Sequence, residues 1–365
     1  MKDIKFPNKV IQSQYTRWAL ARRGTRNPND MTNPVWTWMM KNEVSPYQAN
    51  QDLDENHQHH PHWCYYRMGQ SETVLPDGTN VLIAGEHEDS YDPDFFIYND
   101  VTVIRPDGEI TFFGYSEYLF PPTDNHSATL VGDQIYIIGC LGYPHQRHKD
   151  KTPVYSLNIN DFHIHKVSTK GLTPSWLHSH AAQLSQDGKS IICEGGDVIH
   201  PSGNYVENLA KWQLELETGI WTKLSEKKWT RWKIYREDSS RNDLSNISDL
   251  QYAEKLKSDN PRREYLTPHD FITEIKARGH EIDLSLYENR HIPPMPHERI
   301  GEDENNFRHF RVAIEGVICR IVESSHEIEY NIEGNLPEEM VKDLQAHYLD
   351  IYSKLEGMPY TIEQI

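Results

Sequence analysis

The chain has 365 residues and a formal net charge of −18, from 37 Lys and Arg against 55 Asp and Glu. That balance excludes a free nucleic-acid binder, which needs a clustered positive surface. Nine Trp and 20 Tyr exclude a disordered chain, and an apolar fraction of 37%, below the usual value of about 45–50%, points to a folded protein with long polar loops.

No apolar run approaches the ~20 residues that a membrane span requires. The N-terminal string MKDIKFPNKVIQSQ has no apolar signal region. Cys64, Cys140, Cys193 and Cys319 are scattered, with no C-x-x-C. The expectation is a reduced, cytoplasmic protein with no membrane partner.

Residues 1–60 read as a helical and loop extension. Asn33-Pro34 and Ser45-Pro46 are each a capping residue followed by proline, so PVWTWMMKN and SPYQANQDL predict two short helices. Residues 61–225 contain an internal repeat. Three segments align, starting at Gln70-Ser71, His126-Ser127 and His180-Ala181. Each predicts four strands. The first ends in a tight turn at Asp77-Gly78, Gly132-Asp133 or Asp187-Gly188. The second is a continuous apolar run, Val81–Ala84, Ile135–Ile138 or Ser190–Cys193, which suits burial on both faces. The third is Val101–Ile104, Val154–Leu157 or Ala210–Leu214, and the fourth Ile110–Phe113, His163–Val167 or Trp221–Leu224.

Four strands in roughly 55 residues, repeated, is the signature of propeller blades. On His126-Ser127, His180-Ala181, the Gly195-Gly196 doublet and Trp221, the sequence resembles the kelch-repeat family. The first two repeats depart from it, with Gly85-Glu86 and Gly139-Cys140 in place of the doublet. The fold class expected is mainly β, a kelch-like β-propeller with an N-terminal helical extension and a small C-terminal α+β unit. Three visible blades do not ring an axis, so the flanks, the C-terminal unit or a second copy in a homo-oligomer would complete it.

Residues 226–260 read as a linker with a basic start at Lys227, Lys228, Arg231, Lys233 and Arg236. Residues 261–365 read as the α+β unit. Thr267-Pro268 opens a helix that Gly279 closes, Phe310–Ile321 and Glu327–Ile332 are strands, and a helix runs from Pro337 to about Leu355.

The resemblance implies one face formed by the loops before each first strand and the loops between second and third strands. The binding-face candidates there are Arg67, Glu86, His87, Glu88, Asp89, Phe95, Arg147, Trp176 and Glu194. The candidate metal ligands are His62, His126, His178 and His180, because imidazole and carboxylate sets hold divalent zinc or iron. The expected function is a binding module for a protein or peptide partner, a basic one on charge grounds. The alternative is a metal-dependent enzyme acting on a small or sugar-like substrate at the same face.

Overall fold

A computed structural model of the chain describes residues 8–53, 61–88, 95–148, 150–199, 205–242, 283–303 and 306–365. It is mainly β and divides into two units, Met1–Glu226 and Lys227–Ile365. No helix among the described residues is long and apolar enough to cross a membrane.

The first unit opens with α1 (Lys9–Trp18), a short strand β1 (Asn29–Asp30), α2 (Pro34–Asn42) and α3 (Pro46–Leu53). The two proline-led helices agree with the sequence; α1 carried no proline signal, and its start is set by Asn8, whose side chain accepts from the amides of Val10 and Ile11. The Asn33 side chain caps α2 in the same way at the Trp36 amide, 2.9 Å away.

Three antiparallel meanders follow. The first comprises β2 (Ser71–Val74), β3 (Asn80–Ile83), a two-residue hairpin of β4 (Glu86–His87) with β5 (Phe96–Ile97), then β6 (Asp100–Ile104) and β7 (Ile110–Gly114). The second comprises β8 (Ser127–Val131), β9 (Gln134–Ile138), β10 (Val154–Asn158) and β11 (Ile164–Lys166). After β12 (Lys170–Gly171) and β13 (Leu177–His178), the third comprises β14 (Ala181–Leu184), β15 (Ser190–Glu194), β16 (Asp197–Ile199) paired with β17 (Tyr205–Glu207), β18 (Ala210–Glu215) and β19 (Ile220–Glu226). The four principal strands of each sheet pair in chain order, and none of the sheets closes on itself. The first strands approach one another, β2 to β8 and β8 to β14.

The sheets share their cores face to face. Val81, Ile83, Val101 and Val103 of the first sheet pack with Ile135, Ile137 and Leu157 of the second. Ile138 and Val154 of the second pack with Ile191, Cys193, Leu214 and Trp221 of the third. The outer face of the first sheet, through Ile110 and Phe112, meets Trp36, Trp38, Met39 and Trp63 of the N-terminal segment. This sandwiching is why the second strands read as uninterrupted apolar runs. The N-terminal segment also edges two sheets: β1 pairs with β7, and the Asn27 side chain both donates to and accepts from the Ile164 backbone of β11, at 2.7 and 2.9 Å.

In the second unit one antiparallel sheet runs in the order β21-β22-β23-β24-β20-β25, where β20 is Thr230–Arg236, β21 Glu298–Asp303, β22 Asn306–Ile314, β23 Val317–Glu323, β24 Glu327–Ile332 and β25 Tyr360–Gln364. Two helices accompany it, α4 (Leu284–Asn289) and α5 (Glu338–Glu356). The basic stretch assigned to a linker is therefore strand β20. Its charges disguised it, yet they alternate with Trp232 and Ile234, and they are paired: Arg231 donates to Asn331, and Lys233 to Glu327. The rest of the linker and the helix expected after Thr267-Pro268 lie outside the described residues, apart from the start of the linker up to Asn242. The single strand expected over 310–321 is the turn region of a hairpin instead. Glu315 and Gly316 both have positive φ, as a two-residue hairpin turn requires. The helix expected from Pro337 is α5, whose apolar stripe of Val341, Leu344, Tyr348, Tyr352 and Leu355 is buried against Trp232, Ile234, Ile321, Ile328, Tyr330 and Ile332.

A buried ionic cluster fastens α4 to this sheet. Arg290 grips both oxygens of Glu323 at 2.7 Å, and His291 and the Tyr352 hydroxyl reach the same carboxylate at 2.9 and 2.6 Å. Burial works against the Glu323 charge, but His291 and Arg290 override it and hold the carboxyl well below the usual carboxylate range. Glu323→Gln is expected to destabilise the protein by about 3–5 kcal/mol, because it strands a buried guanidinium. The folded-state value is depressed, so the wild-type contribution is complete above the ordinary carboxylate range and is lost as pH falls below it. Denaturant unfolding of both proteins between neutral and acid pH measures this; a loss under ~1 kcal/mol at neutral pH would count against the cluster.

Candidate functional site

The loops between the second and third strands, with the segments leading into the first strands, form a connected strip across the three sheets of the first unit. The strip begins at Met68, which exchanges backbone hydrogen bonds with Glu86 of β4 at 2.9 and 2.8 Å. Hairpin β4–β5 leads to Phe95, whose ring meets Tyr143 edge to face at 5.9 Å. The Tyr143 hydroxyl accepts from the Ile97 amide at 2.9 Å, which joins the first sheet's loop to the second's. A short turn, Pro144–Gln146, carries the chain from Tyr143 to Arg147. The Arg147 guanidinium lies 5.3 Å from the Tyr205 ring of the third sheet's loop, and Tyr205 meets His178 edge to face at 5.2 Å.

The loops hold these positions through buried groups. Asp124 is wholly buried and accepts from the Gly142 amide at 2.7 Å and the Asn125 side-chain amide at 2.8 Å. Arg147 donates to the carbonyls of Leu141 and Gly142, at 2.7–3.1 Å. Burial lowers the Arg147 pKa, and Asp124 opposes that shift. Burial also raises the Glu86 carboxyl above its usual range, with Asp124 adding to the effect. Two glycines permit the close approach of the next segment. A Cβ at Gly139 would sit 2.2 Å from the Leu177 carbonyl oxygen, and one at Gly196 2.2 Å from that of His178.

The candidate residues separate into three groups. Glu86, His87, Phe95 and Arg147 lie along the strip, with Glu88 exposed beside it. Glu194 is exposed and pairs with Lys211 at 3.0 Å. Arg67 and Trp176 are instead internal supports. Arg67 is buried, donates to the Cys64 and Ala84 carbonyls, and grips Asp100 at 2.5 and 2.9 Å with its guanidinium 3.4 Å from the Tyr98 ring. Burial opposes its charge, and Asp100 overrides that and raises its pKa. The Trp176 indole is buried and donates to the Leu141 carbonyl at 3.1 Å. Asp89 lies outside the described residues.

The four histidines do not converge. His62 is among the N-terminal helices, with Nε2 3.2 Å from the Asn50 side-chain nitrogen. His126 Nε2 meets the Ser71 hydroxyl at 2.7 Å, and His180 Nε2 meets the Ser127 hydroxyl at 2.9 Å. His178 Nδ1 lies 3.1 Å from the Ser179 hydroxyl. Among the described residues no group of three His, Cys, Asp or Glu side chains is placed to hold a metal ion. The four expected ligands are therefore not gathered into one set: His62 lies apart, and His126, His178 and His180, though neighbours, each meet a different hydroxyl. The cysteines offer no alternative, since all four are buried and burial raises the thiols of Cys140, Cys193 and Cys319.

Sequence reasoning missed the role of Asp124. Its signal was Pro121-Pro122-Thr123-Asp124 ahead of the repeat-opening His126, a rigid approach that ends in a residue able to cap a neighbouring loop. The repeat alignment placed His126 and His180 at equivalent positions, but it missed that each meets the hydroxyl of the preceding repeat, Ser71 and Ser127.

No protein-family profile matches the sequence, and no curated protein matches it. Among solved structures 99 chains match. One, titled "Structure of YjhT", has a TM-score of 0.33 and 16% identity over 43% of this chain and 55% of that one. The chain thus spans about half the length of that structure.

Burial, together with the neighbouring imidazole, pushes His126 down to about 3 and His180 down to about 4, from an ordinary value of 6.5. Both are neutral in the folded protein, so on acidification the unfolded chain takes up their protons first. Stability is expected to fall as pH drops below about 6.5, by about 2 kcal/mol per histidine at pH 5. Denaturant midpoints across this range should flatten in the His126→Gln, His180→Gln double variant. An unchanged pH slope would contradict the assignment.

Proposed function

We propose that the first unit is a kelch-type β-propeller that works as a binding module, and that its ligand is an extended, basic peptide laid along the loop strip. The repeated four-strand meanders, with first strand facing first strand, support the propeller reading. The observation that carries the binding reading is the continuity of the strip from Met68 to Tyr205. It exposes apolar surface along its course: Met68 is 53% exposed, Phe95 37% and Tyr205 39%. Aromatic groups held by fixed neighbours, with an arginine among them, are what interface hot spots are made of. Glu86, Glu88 and Glu194, in a chain of net charge −18, favour a basic partner.

Panning a random peptide library against the purified protein tests this. Selected peptides should be enriched in Lys and Arg. Phe95→Ala and Tyr205→Ala should each weaken their binding by about 2 kcal/mol, roughly thirtyfold. Leu224→Ala, an exposed apolar change on β19 away from the strip, should leave binding unchanged. Failure to select any peptide, or equal binding by all variants, would contradict the reading.

A further inference from the structure

A cavity of about 410 Å³ opens at the loop end of the second sheet, within the size range of small-molecule sites. Its wall has an apolar part made by Trp176, Tyr155, Val154 and Val167. The indole is mostly buried and fixed by its hydrogen bond to the Leu141 carbonyl, so the edge of it that reaches the space has a defined position. The polar part of the wall is unusual for this protein. Acids outnumber bases 55 to 37 in the chain, yet the described lining residues include Lys151 and Lys166, with His148, and no Asp or Glu. The lysines come from two separate segments, the loop before β10 and the end of β11, and both are exposed. Among the described residues neither lysine is tied into an ion pair. Cys140, at the floor, adds no opposing charge because burial keeps its thiol protonated.

We propose that this cavity binds a small organic anion with a flat apolar body, such as an aromatic carboxylate, sulfonate or phosphate monoester. The apolar body lies against Pro121, Pro153 and Val167 with the accessible edges of Trp176 and Tyr155 behind them, and the anionic group sits between the ammonium groups of Lys151 and Lys166. A partly enclosed, apolar-walled space strengthens that attraction compared with open water. The site does not rest on the peptide-binding reading, and each can fail without the other.

Fluorescence titration with anilinonaphthalene sulfonate tests it, with the uncharged analogue phenylnaphthylamine as the comparison. The sulfonate should bind at one site per chain. Lys151→Gln and Lys166→Gln should each weaken it about fivefold, and the Arg replacements at both positions should restore it. The uncharged analogue should respond to none of these changes, and Phe95→Ala should affect neither probe. Absence of saturable binding, binding indifferent to the glutamine variants, or equal losses for both probes would overturn the proposal.

Discussion

Two imidazole–hydroxyl contacts recur where the neighbouring sheets of the first unit meet. Each of its sheets is an ordinary meander, and neighbouring sheets meet at their first strands. There His126, at the entry to β8, reaches back to Ser71 at the start of β2, and His180, at the entry to β14, reaches back to Ser127 at the start of β8. The same bond recurs one sheet further on, at the border that the shared apolar cores bring together. Burial keeps both rings neutral by disfavouring the charged form. A buried hydrogen bond of this kind contributes little net energy, about 1 kcal/mol, but leaving its partner unmet costs more.

The loop strip is a consequence of this assembly. Once the sheets are fixed at their first strands, their second-to-third-strand loops emerge side by side, and a few buried groups lock them together. Asp124 caps the second sheet's loop, Tyr143 takes the amide of Ile97 from the first, and Arg147 leans on Tyr205 from the third. Arg67 and Trp176 act one layer deeper, and their charge or ring nitrogen is already committed to the protein's own groups. The second unit solves a similar problem differently. It orders α4 with one carboxylate, Glu323, that satisfies an arginine, a histidine and a tyrosine at once.

Much of the scaffold was legible in the sequence. Asp-Gly turns, apolar second strands and proline-led helices each express a local rule, and the strands of all three repeats fall within a residue or two of where those rules place them. What was not legible depends on distant partners. Strand β20 carries Arg231, Lys233 and Arg236, and looks like a solvated linker until Asn331, Glu327 and Glu356 are seen beside it. The histidines assigned to the loop face suggested metal chemistry, because sequence shows ligand types but not their separation. In three dimensions His62, His126, His178 and His180 each meet a different neighbour. Of the residues that the kelch resemblance assigned to one face, Glu86, His87, Phe95 and Arg147 lie along the loop strip. Arg67 and Trp176 share those loops but turn inward, a difference that only packing decides.

The central claim is that the His–Ser contacts join sheet to sheet. A double-mutant cycle on Ser71 and His126 tests it most directly, with Ser71→Ala, His126→Ala and their combination compared by denaturant unfolding at neutral pH. The account predicts that the double variant loses less than the sum of the singles, with a coupling of about 1 kcal/mol. Losses that add to within about 0.3 kcal/mol would show that the two residues act independently and would contradict it.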